Sequence, residues 1–346
     1  MKIKVGVLGA TGMVGQRFIQ LLENHPWFEL SELAASKNSA GKSYEEAVKG
    51  KWKLLTEIPE EFKNLKVKEC IPGLDCDLVF SALDSDIAEA VEQDFAKNNY
   101  GVSSNSKNHR MAENVPLLIP EVNADHLQLI KKQDFSDKGF IVTNPNCSTA
   151  ILCLALAPLQ KKFGLSKLNV VTLQALSGAG YPGVASMDIL DNVIPFIGEE
   201  EEKINREAKK IFGSLNESKI NSAEFSLSAS CNRVNTSDGH LECINLELKE
   251  KIEKEELIAE LKKFNPLKEL NLPSSPSKPI VVFENDSRPQ VKFDRDAGKG
   301  MSVSVGRIRE DDLLDYKMIV LGHNTIRGAA GAAILNAELM KAKKLL

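Results

Sequence analysis

The sequence lacks any hydrophobic run long enough to span a lipid bilayer. The apolar stretch at its N-terminus is also too short for a secretory signal peptide, and it leads directly into a glycine-rich motif. Basic residues are not in excess, since the formal net charge is -4 at pH 7. We therefore expect no membrane span and no nucleic-acid partner, because nucleic-acid binders usually carry a basic surface.

The cysteines lack the spacing of a zinc site or of a disulfide framework. The chain has six of them and no CxxC pair; they stand at positions 70, 76, 147, 153, 231 and 243. Such a pattern predicts reduced thiols and no bound metal. The simplest location for a protein of this kind is the cytoplasm.

Length and composition suit a protein of two domains. The chain has 346 residues, of which 42% are hydrophobic and 27% charged, so it can bury a sizeable core. These proportions are those of an ordinary globular protein.

The N-terminal segment predicts a strand, a glycine turn and a helix. Residues 4–8 are strand-like, residues 16–22 repeat apolar side chains at the helical period, and between them stands Gly9-Ala10-Thr11-Gly12-Met13-Val14-Gly15. This order is the context of a dinucleotide-binding fingerprint, in which the helix N-terminus faces the pyrophosphate. The spacing is GxxGxxG rather than GxGxxG, so a purely structural turn is the alternative.

An acidic residue is missing where the second strand, predicted over residues 30–35, ends. In NAD-selective folds a carboxylate at this place binds the ribose hydroxyls. Here the chain continues with Ser36, Lys37, Asn38 and Ser39. Hydroxyls and a lysine can bind a 2′-phosphate that a carboxylate would repel. The sequence therefore predicts a preference for NADP with Ser36, Lys37 and Ser39 as contacts; a solvated loop is the alternative.

The centre of the chain carries a cysteine between a predicted strand and a predicted helix. A β-branched run over residues 139–142 leads into Thr143-Asn144-Pro145-Asn146-Cys147-Ser148-Thr149-Ala150, and an apolar run follows. Free amides and the dipole at a helix N-terminus favour negative charge, so we expect a lowered thiol pKa and a nucleophilic Cys147. The same amides are expected to hold an oxyanion. The alternative is a buried structural cysteine beside a capping Ser148.

Further candidates for chemistry follow from charged residues near predicted strand ends. His240 is the strongest base candidate among the five histidines, because it follows a glycine at a strand start and has Arg233 nearby. Arg110 stands in a basic loop and suits bidentate binding of a phosphate or carboxylate, unless it is a surface arginine. Together with the nucleotide motif, these residues predict a thiol-mediated hydride reaction. Cys147 would attack a carbonyl, His240 would move protons, and NADP would exchange a hydride.

The second half of the chain predicts a mixed or antiparallel sheet. We expect the strands at 226–234 and 243–248 to pair as a hairpin. The acidic run 199–202 is typical of a helix N-terminus, and residues 249–263 predict a surface helix. The final helix, over about 328–344, is rich in small residues, so we expect it to dock on the N-terminal domain.

Several short segments together match the pattern of one enzyme family. They are the glycine turn 9–15, Asn105-Ser106 with Arg110-Met111, 115–123, 144–149, 174–180, Arg233-Val234 with Gly239-His240, and 324–331. With them, nearly the whole chain resembles aspartate-semialdehyde dehydrogenase of the archaeal and fungal type. The resemblance implies an α/β fold: a Rossmann-like dinucleotide-binding domain (1–148 plus 325–346) and an α+β catalytic and dimerisation domain with a mixed sheet (149–324).

The resemblance also implies a reaction and a cofactor. L-Aspartate 4-semialdehyde, phosphate and NADP⁺ would interconvert with L-4-aspartyl phosphate and NADPH, in the synthesis of lysine (through diaminopimelate), methionine, threonine and isoleucine. By the family pattern, Cys147 forms a thioacyl intermediate, His240 is the general base and Gln174 orients the intermediate. The family assembles as a dimer or a dimer of dimers, so a homodimer or homotetramer is implied.

The remaining roles implied by the resemblance concern substrate and cofactor binding. Arg233 would bind the substrate carboxylate, and Glu200, chosen from the run 199–202, would bind its ammonium group. Phosphate would be held by Arg110 and Lys203, with Asn146 also at the substrate. The implied NADP contacts are Gly9, Thr11, Gly12, Met13, Val14, Ser36, Lys37, Ser39, Ser81, Ser177, Gly178 and Asn324.

Two other kinds of function remain as alternatives. One is a relative that acts on another acyl donor, either malonyl-CoA or N-acetylglutamyl phosphate; however, the run Asn146-Cys147-Ser148-Thr149 resembles the semialdehyde enzyme more closely, and no site for the nucleotide end of CoA is recognisable. The other is a non-enzymatic nucleotide-binding protein that senses redox state through Cys147. The number of separate catalytic positions argues against the sensor.

Overall fold

The computed structural model describes residues 2–217 and 219–346. Its helices are α1 (Met13–Leu22), α2 (Tyr44–Val48), α3 (Glu60–Lys63), α4 (Ser85–Lys97), α5 (Pro120–Asn123), α6 (Cys147–Phe163), α7 (Ser186–Ile189), α8 (Glu200–Ile211), α9 (Lys254–Lys263), α10 (Val291–Asp294) and α11 (Gly331–Ala342). Short 3-10 segments lie at Ala124–Lys132, Leu176–Ala179, Lys268–Leu270 and Ala297–Gly300, and Ile326–Ala330 is π-helical.

The strands form two six-stranded sheets and a small ribbon. They are β1 (Ile3–Leu8), β2 (Phe28–Ala35), β3 (Val67–Glu69), β4 (Leu78–Ser81), β5 (Gly101–Ser104), β6 (Phe140–Thr143), β7 (Leu165–Gln174), β8 (Ser214–Asn216), β9 (Lys219–Asn221), β10 (Ser226–Arg233), β11 (His240–Leu248), β12 (Ile280–Val282), β13 (Val303–Glu310) and β14 (Tyr316–Gly322).

The first sheet is parallel and has the order β3-β2-β1-β4-β5-β6. Strands β4, β5 and β6 are buried at every position, and β4 and β6 accordingly carry three consecutive apolar residues each rather than an alternating pattern. The strand order reverses between β1 and β4. Ligands of doubly wound sheets bind at such a switch point, beyond the carboxyl ends of the strands. The glycine turn after β1 therefore lies where a dinucleotide is expected.

The second sheet is mixed, with the order β10-β7-β11-β14-β13-β12. The expected hairpin of β10 and β11 is wrong, because β7 lies between them, parallel to β10 and antiparallel to β11. The connection over residues 234–239 crosses the end of β7, where Thr236 and Ser237 accept hydrogen bonds from the Leu176 and Ser177 amides. Alternation along a strand predicts which face is buried but not which strand is its neighbour.

Helix α6 joins the two sheets and is apolar almost all round. Its side chains pack with α8 and α9 on the inner face of the second sheet, in a core that includes Ile151, Leu154, Val170 and Ile244. The predicted docking of the C-terminal helix is confirmed. Helix α11 contributes to the core of the first sheet. No helix in residues 2–217 or 219–346 has both the length and the apolarity needed to cross a bilayer.

Candidate active site

Cys147 is the first residue of α6, as the sequence predicts, but the cap of that helix is Asn146. The Asn146 Oδ1 accepts hydrogen bonds from the backbone amides of Ser148 at 3.0 Å and Thr149 at 3.2 Å. Two amides that we expected to hold an oxyanion are therefore occupied. The Ser148 hydroxyl has no hydrogen-bond partner among the described residues, so the alternative of a capping Ser148 is wrong.

The sulfur of Cys147 lies 3.1 Å from His240 Nε2. On the other side of the ring, His240 Nδ1 accepts a hydrogen bond from the Ala175 amide at 3.0 Å. Since that nitrogen is an acceptor, the neutral imidazole carries its proton on Nε2, facing the sulfur. Burial, reinforced by the positive charge of Arg233, lowers the pKa of His240 to about 3. The ring is therefore neutral at physiological pH.

The expectation of a lowered pKa for Cys147 is wrong. Burial, together with the negative charge of Glu200, raises the pKa of this thiol to about 12. Arg110, Arg233 and the Ser148 amide act in the opposite direction but do not compensate. Desolvation of the sulfur thus outweighs the field of the helix N-terminus. The resting pair is a neutral thiol beside a neutral imidazole.

Three of the predicted site residues form one row across the second sheet. Arg233 pairs with Gln174, and the register of Leu241 with Leu173 brings His240 level with Gln174 on the other side. All three side chains face the inner side of the sheet and are buried. The order of the strands brings them together, because β7 lies between the two strands that carry Arg233 and His240.

Helix α8 supplies the acidic side of the site. Glu200 accepts hydrogen bonds from the Asn146 side chain at 2.9 and 2.8 Å and from Gln174 at 3.2 Å. Lys203, one turn further, donates to the same carboxylate at 3.3 Å. Glu199 is instead exposed and pairs with Lys107. Of the run 199–202, Glu200 is thus the residue in contact with the candidate catalytic groups, while its role at a substrate ammonium stays a prediction.

Arg110 is buried and not a surface residue, since only 8% of it is exposed. Its Nη1 donates to Glu207 at 3.1 Å and its Nη2 to the Asn105 carbonyl at 2.8 Å. Glu207 and the nearby Lys210 were not predicted as site residues. The signal that could have indicated them is their spacing from Glu200 and Lys203, which places all four on one face of a helix.

A cavity of about 370 Å³ lies between the two sheets and reaches Cys147. Of the predicted site residues, it is lined by Met13, Val14, Arg110, Asn146, Cys147, Ser177, Gly178, Lys203 and Asn324. The Asn324 side chain donates to the Ser177 hydroxyl at 2.8 Å, which ties the two sides of this wall together. The cavity thus extends from the N-terminus of α1 to the candidate catalytic pair.

Other predicted site residues lie beside this cavity or away from it. Gly9, Thr11 and Gly12 form the turn that precedes Met13. Gln174, Glu200, Arg233 and His240 lie behind the cavity wall, in contact with its lining. Ser36 and Lys37 are exposed and Ser39 is buried, on the loop after β2; Ser81 is buried at the end of β4, where Ala82 to Asp84 line the cavity instead. Their contacts with a cofactor stay predictions.

Comparisons with known proteins agree with this geometry. The family described as semialdehyde dehydrogenase, NAD binding domain, matches residues 4–130, and its dimerisation domain matches residues 156–327. The aspartate-semialdehyde dehydrogenase of Archaeoglobus fulgidus is 53% identical over 349 residues, covering 100% of both chains. That of Saccharomyces cerevisiae is 48% identical, covering 99% of this chain and 98% of its own. The chain belongs to the aspartate-semialdehyde dehydrogenase family.

The fold is also that of the aspartate-semialdehyde dehydrogenase family. The crystal structure of the Candida albicans enzyme with NADP matches with a TM-score of 0.92 at 44% identity, covering 100% of both chains. The predicted fold class is therefore confirmed: a Rossmann-like domain with a parallel sheet and a second domain with a mixed sheet.

Two glycines of this family member allow close approach to the reacting groups. A Cβ on Gly178 would lie 2.9 Å from Arg233 Nη1 and 3.2 Å from His240 Nε2. A Cβ on Gly328, in the π-helical segment, would lie 2.6 Å from the Cβ of Cys147. The first glycine thus leaves room beside the row of catalytic candidates, and the second lets the C-terminal segment pack directly on Cys147.

We expect Gly328→Ala to lower kcat by about 10- to 100-fold, because the added methyl must displace Cys147, and a shift of about 1 Å at a reacting group can cost that much. The measurement is kcat with the thermal midpoint beside it. Gly198→Ala is the matched control, since a Cβ there would meet no atom of the described residues within 4 Å. A Gly328→Ala enzyme with wild-type kcat would show that this contact does not position the nucleophile.

Proposed function

We propose that this protein catalyses the reversible, NADP-dependent reductive dephosphorylation of L-4-aspartyl phosphate to L-aspartate 4-semialdehyde. The observation that carries the proposal is the Cys147–His240 pair, at 3.1 Å, on a cavity that begins at the helix following the glycine turn. Membership of the family supports it over an acyl-CoA reductase or a thiol sensor. The product is an intermediate of lysine, methionine, threonine and isoleucine biosynthesis.

The N-terminus of α1 fits a dinucleotide. Within the described chain, no side chain caps this helix, so its first amides remain available for a pyrophosphate. Met13 and Val14, which follow Gly12, both line the cavity. Bound NADPH would supply the hydride of the reaction. Gly9, Thr11, Gly12, Met13 and Val14 would hold the phosphates, and Ser81, Ser177, Gly178 and Asn324 would contact the remainder of the cofactor.

The chain's own residues carry the acyl transfer. In the reductive direction, the Cys147 sulfur gives up its proton and bonds to the acyl carbon while the bond from that carbon to the phosphate oxygen breaks. The phosphate leaves with the proton, and a thioacyl enzyme remains. Hydride supplied by bound NADPH would convert the thioacyl carbonyl to an oxyanion. His240, 3.1 Å from the sulfur, would be the group that hydrogen-bonds this oxygen and moves protons between it and solvent. The oxyanion then re-forms a carbonyl as the carbon–sulfur bond breaks, which frees the aldehyde. The Cys147 sulfur leaves as a thiolate and takes up a proton from solvent, which restores the thiol. Gln174, between His240 and Arg233 in the sheet, orients the intermediate.

Charged residues around the cavity would bind the rest of the substrate. The Arg233 guanidinium uses Nη1 for the Ala175 carbonyl and keeps further donors for the substrate carboxylate. Arg110 and Lys203, both on the cavity wall, would bind the phosphate. Glu200 would bind the substrate ammonium in place of one of its present donors, with Asn146 beside it.

The test of this function is the phosphate-dependent reduction of NADP⁺ with L-aspartate 4-semialdehyde, followed at the nicotinamide absorbance. Malonyl-CoA with NADPH is assayed in parallel. Turnover that requires both phosphate and the semialdehyde is the expected result. Turnover with the thioester alone would instead make the protein an acyl-CoA reductase, and NADP binding without either activity would favour the sensor.

For the cofactor, we expect a preference for NADP that depends on Ser36, Lys37 and Ser39. Replacing Lys37 by alanine should raise KM for NADP about tenfold and leave KM for NAD unchanged, because a charge-assisted contact with the 2′-phosphate is lost. Lys49→Ala, at another exposed lysine, is the control. Equal kcat/KM values of the wild-type enzyme with NAD and NADP would contradict the prediction.

We further propose that the protein is a homodimer, or a homotetramer built from such dimers, through the outer face of the second sheet. This face carries half-buried apolar side chains from three neighbouring strands: Val171, Leu173, Leu241, Cys243 and Ile319. Helices α6, α8 and α9 pack on the opposite face. The family name of residues 156–327, a dimerisation domain, supports the assignment.

The expected result of Val171→Asp is therefore a monomer at a concentration where the wild-type protein is a dimer, since a carboxylate would be buried in the interface without a partner. Light scattering after size-exclusion chromatography measures the mass. Leu313→Asp is the control, because Leu313 is 87% exposed and lies outside this face. Equal masses of the Val171→Asp and wild-type proteins would remove this face as the interface.

Two organisational proposals complete this function. We divide the chain into a nucleotide-binding domain, 1–148 plus 325–346, and a catalytic and dimerisation domain, 149–324. The confinement of β1–β6 to the first part and the packing of α11 on their sheet support the division.

We also assign the protein to the cytoplasm, since all six cysteines, each within the described residues, are free thiols.

A further inference from the structure

Glu207 is a buried carboxylate that joins two separate parts of the site. One oxygen accepts a hydrogen bond from Arg110 Nη1 at 3.1 Å, and the other accepts one from the backbone amide of Asn146 at 2.6 Å. Arg110 belongs to the basic loop, whereas Asn146 caps α6 and immediately precedes the nucleophile. Glu207 itself is 0% exposed and does not line the described cavity. It therefore acts on the reaction through other residues.

Glu207 lies on one face of helix α8 together with other charged residues. Glu200, Lys203, Glu207 and Lys210 follow one another along α8 at spacings of three and four residues. Lys210 donates from Nζ to the carbonyls of Arg110, Ala112 and Val115, at 2.7, 2.7 and 2.9 Å. The helix thus holds the backbone of the basic loop with Lys210 and its guanidinium with Glu207.

We propose that Glu207 is a positioning residue that sets the distance between the phosphate-binding Arg110 and the nucleophile Cys147. The inference rests on the proposed role of Arg110 in binding phosphate. The Glu207 carboxylate binds the Arg110 guanidinium with one oxygen and the amide before Cys147 with the other. It therefore fixes the position of the phosphate site relative to the reacting sulfur. Such positioning suits acyl substitution at an acyl phosphate, because the sulfur attacks the same carbonyl carbon from which the phosphate leaves.

The test compares Glu207→Gln with the wild-type enzyme. An amide can accept from one of the two donors but presents an N–H to the other, so the bridge breaks. KM for phosphate should rise about 10- to 100-fold and kcat should fall by a similar factor, with KM for NADP within about twofold of wild type. Glu202→Gln, at an exposed position of the same helix, is the control and should resemble wild type.

If Glu207 acted only through its negative charge, Glu207→Gln would have the opposite effect on KM for phosphate. Removing a negative charge beside an anion site strengthens phosphate binding if Glu207 only opposes the anion. A lower KM for phosphate in Glu207→Gln, or unchanged kcat and KM, would therefore overturn the proposal. If the Gln variant does not fold, Glu207→Asp replaces it. This variant keeps the charge but shortens the bridge, and wild-type constants for it would also overturn the proposal.

Arg110→Ala separates this inference from the proposed function. If this variant raises KM for phosphate while Glu207→Gln resembles wild type, the function stands and the positioning role is wrong. If Arg110→Ala leaves KM for phosphate unchanged, the assigned phosphate site is wrong, and the proposal for Glu207 fails with it. The proposal is supported if the effects of the two substitutions are not additive. In the Arg110→Ala background, Glu207→Gln should then raise KM for phosphate by less than about twofold.

Discussion

Cys147→Ala is expected to lose turnover by a factor on the order of 10⁴ or more, while NADP binding persists. The sulfur is the nucleophile of the proposed thioacyl step, and the side chains that face it, such as His240, offer no substitute for it. Alanine fits the site because it only removes the sulfur. The proposed cofactor contacts lie at the α1 N-terminus and along the cavity wall, so this substitution leaves them in place.

Two measurements check this expectation. Residual turnover is assayed with phosphate and the semialdehyde, and NADP binding is followed by titration of the nicotinamide or protein fluorescence. Cys153→Ala is the matched control, because this buried cysteine lies on the same helix and in its core-facing part. Mass analysis of wild-type enzyme mixed with the acyl donor should find the adduct on the Cys147 peptide. A Cys147→Ala enzyme that still turns over would remove the mechanism.

His240→Asn is expected to lower kcat by about 10²- to 10⁴-fold, the usual contribution of a positioned acid–base group. The ring nitrogen 3.1 Å from the sulfur is lost, and the Asn side chain is too short to replace it. Burial and Arg233 lower the pKa of His240 to about 3, so the ring is uncharged above pH 4 in the free enzyme. The loss should therefore be the same from about pH 5 to 8, since no charge changes over that range.

The measurement is kcat and kcat/KM for both enzymes between pH 5 and 8. His126→Asn provides the control for losing a buried histidine, since His126 bonds to Asn123 and the Gly213 carbonyl and lies outside the cavity lining. A loss below about tenfold at every pH would rule out His240 as the acid–base group. A loss that grows as pH rises through 6 to 7 would show that the pKa of His240 is close to its ordinary value.

The sequence predicted well those features that depend on neighbouring residues. The glycine turn before α1, the position of Cys147 at the start of α6 and the acidic start of α8 follow from period, turn residues and charge within a few positions. The fold class and the docking of α11 followed from patterns and family resemblance over nearly the whole chain. Each of these features is encoded locally, or repeated in enough segments to be recognised.

The features that the sequence did not predict depend on residues far apart in the chain. The pairing of β10 with β7 brings Arg233 to Gln174, across about 60 positions, and no pattern within either strand specifies that partner. Glu207 was missed for the same reason. It is singled out by its hydrogen bonds with Arg110 and Asn146, which lie on other elements. The cap of α6 is Asn146, whereas the alternative interpretation of Cys147 as a structural cysteine named Ser148, since several residue types there can serve as caps.

The sequence by itself determined the glycine turn before α1, the position of Cys147 at a helix N-terminus and the family, because these are properties of short segments and their order. Only the tertiary structure decided the electrostatic state of Cys147. A helix N-terminus favours a thiolate, yet burial raises the pKa of Cys147 to about 12. Desolvation depends on everything packed around an atom, including Gly328, Glu200 and the second sheet, whereas the field of a helix terminus depends only on the helix.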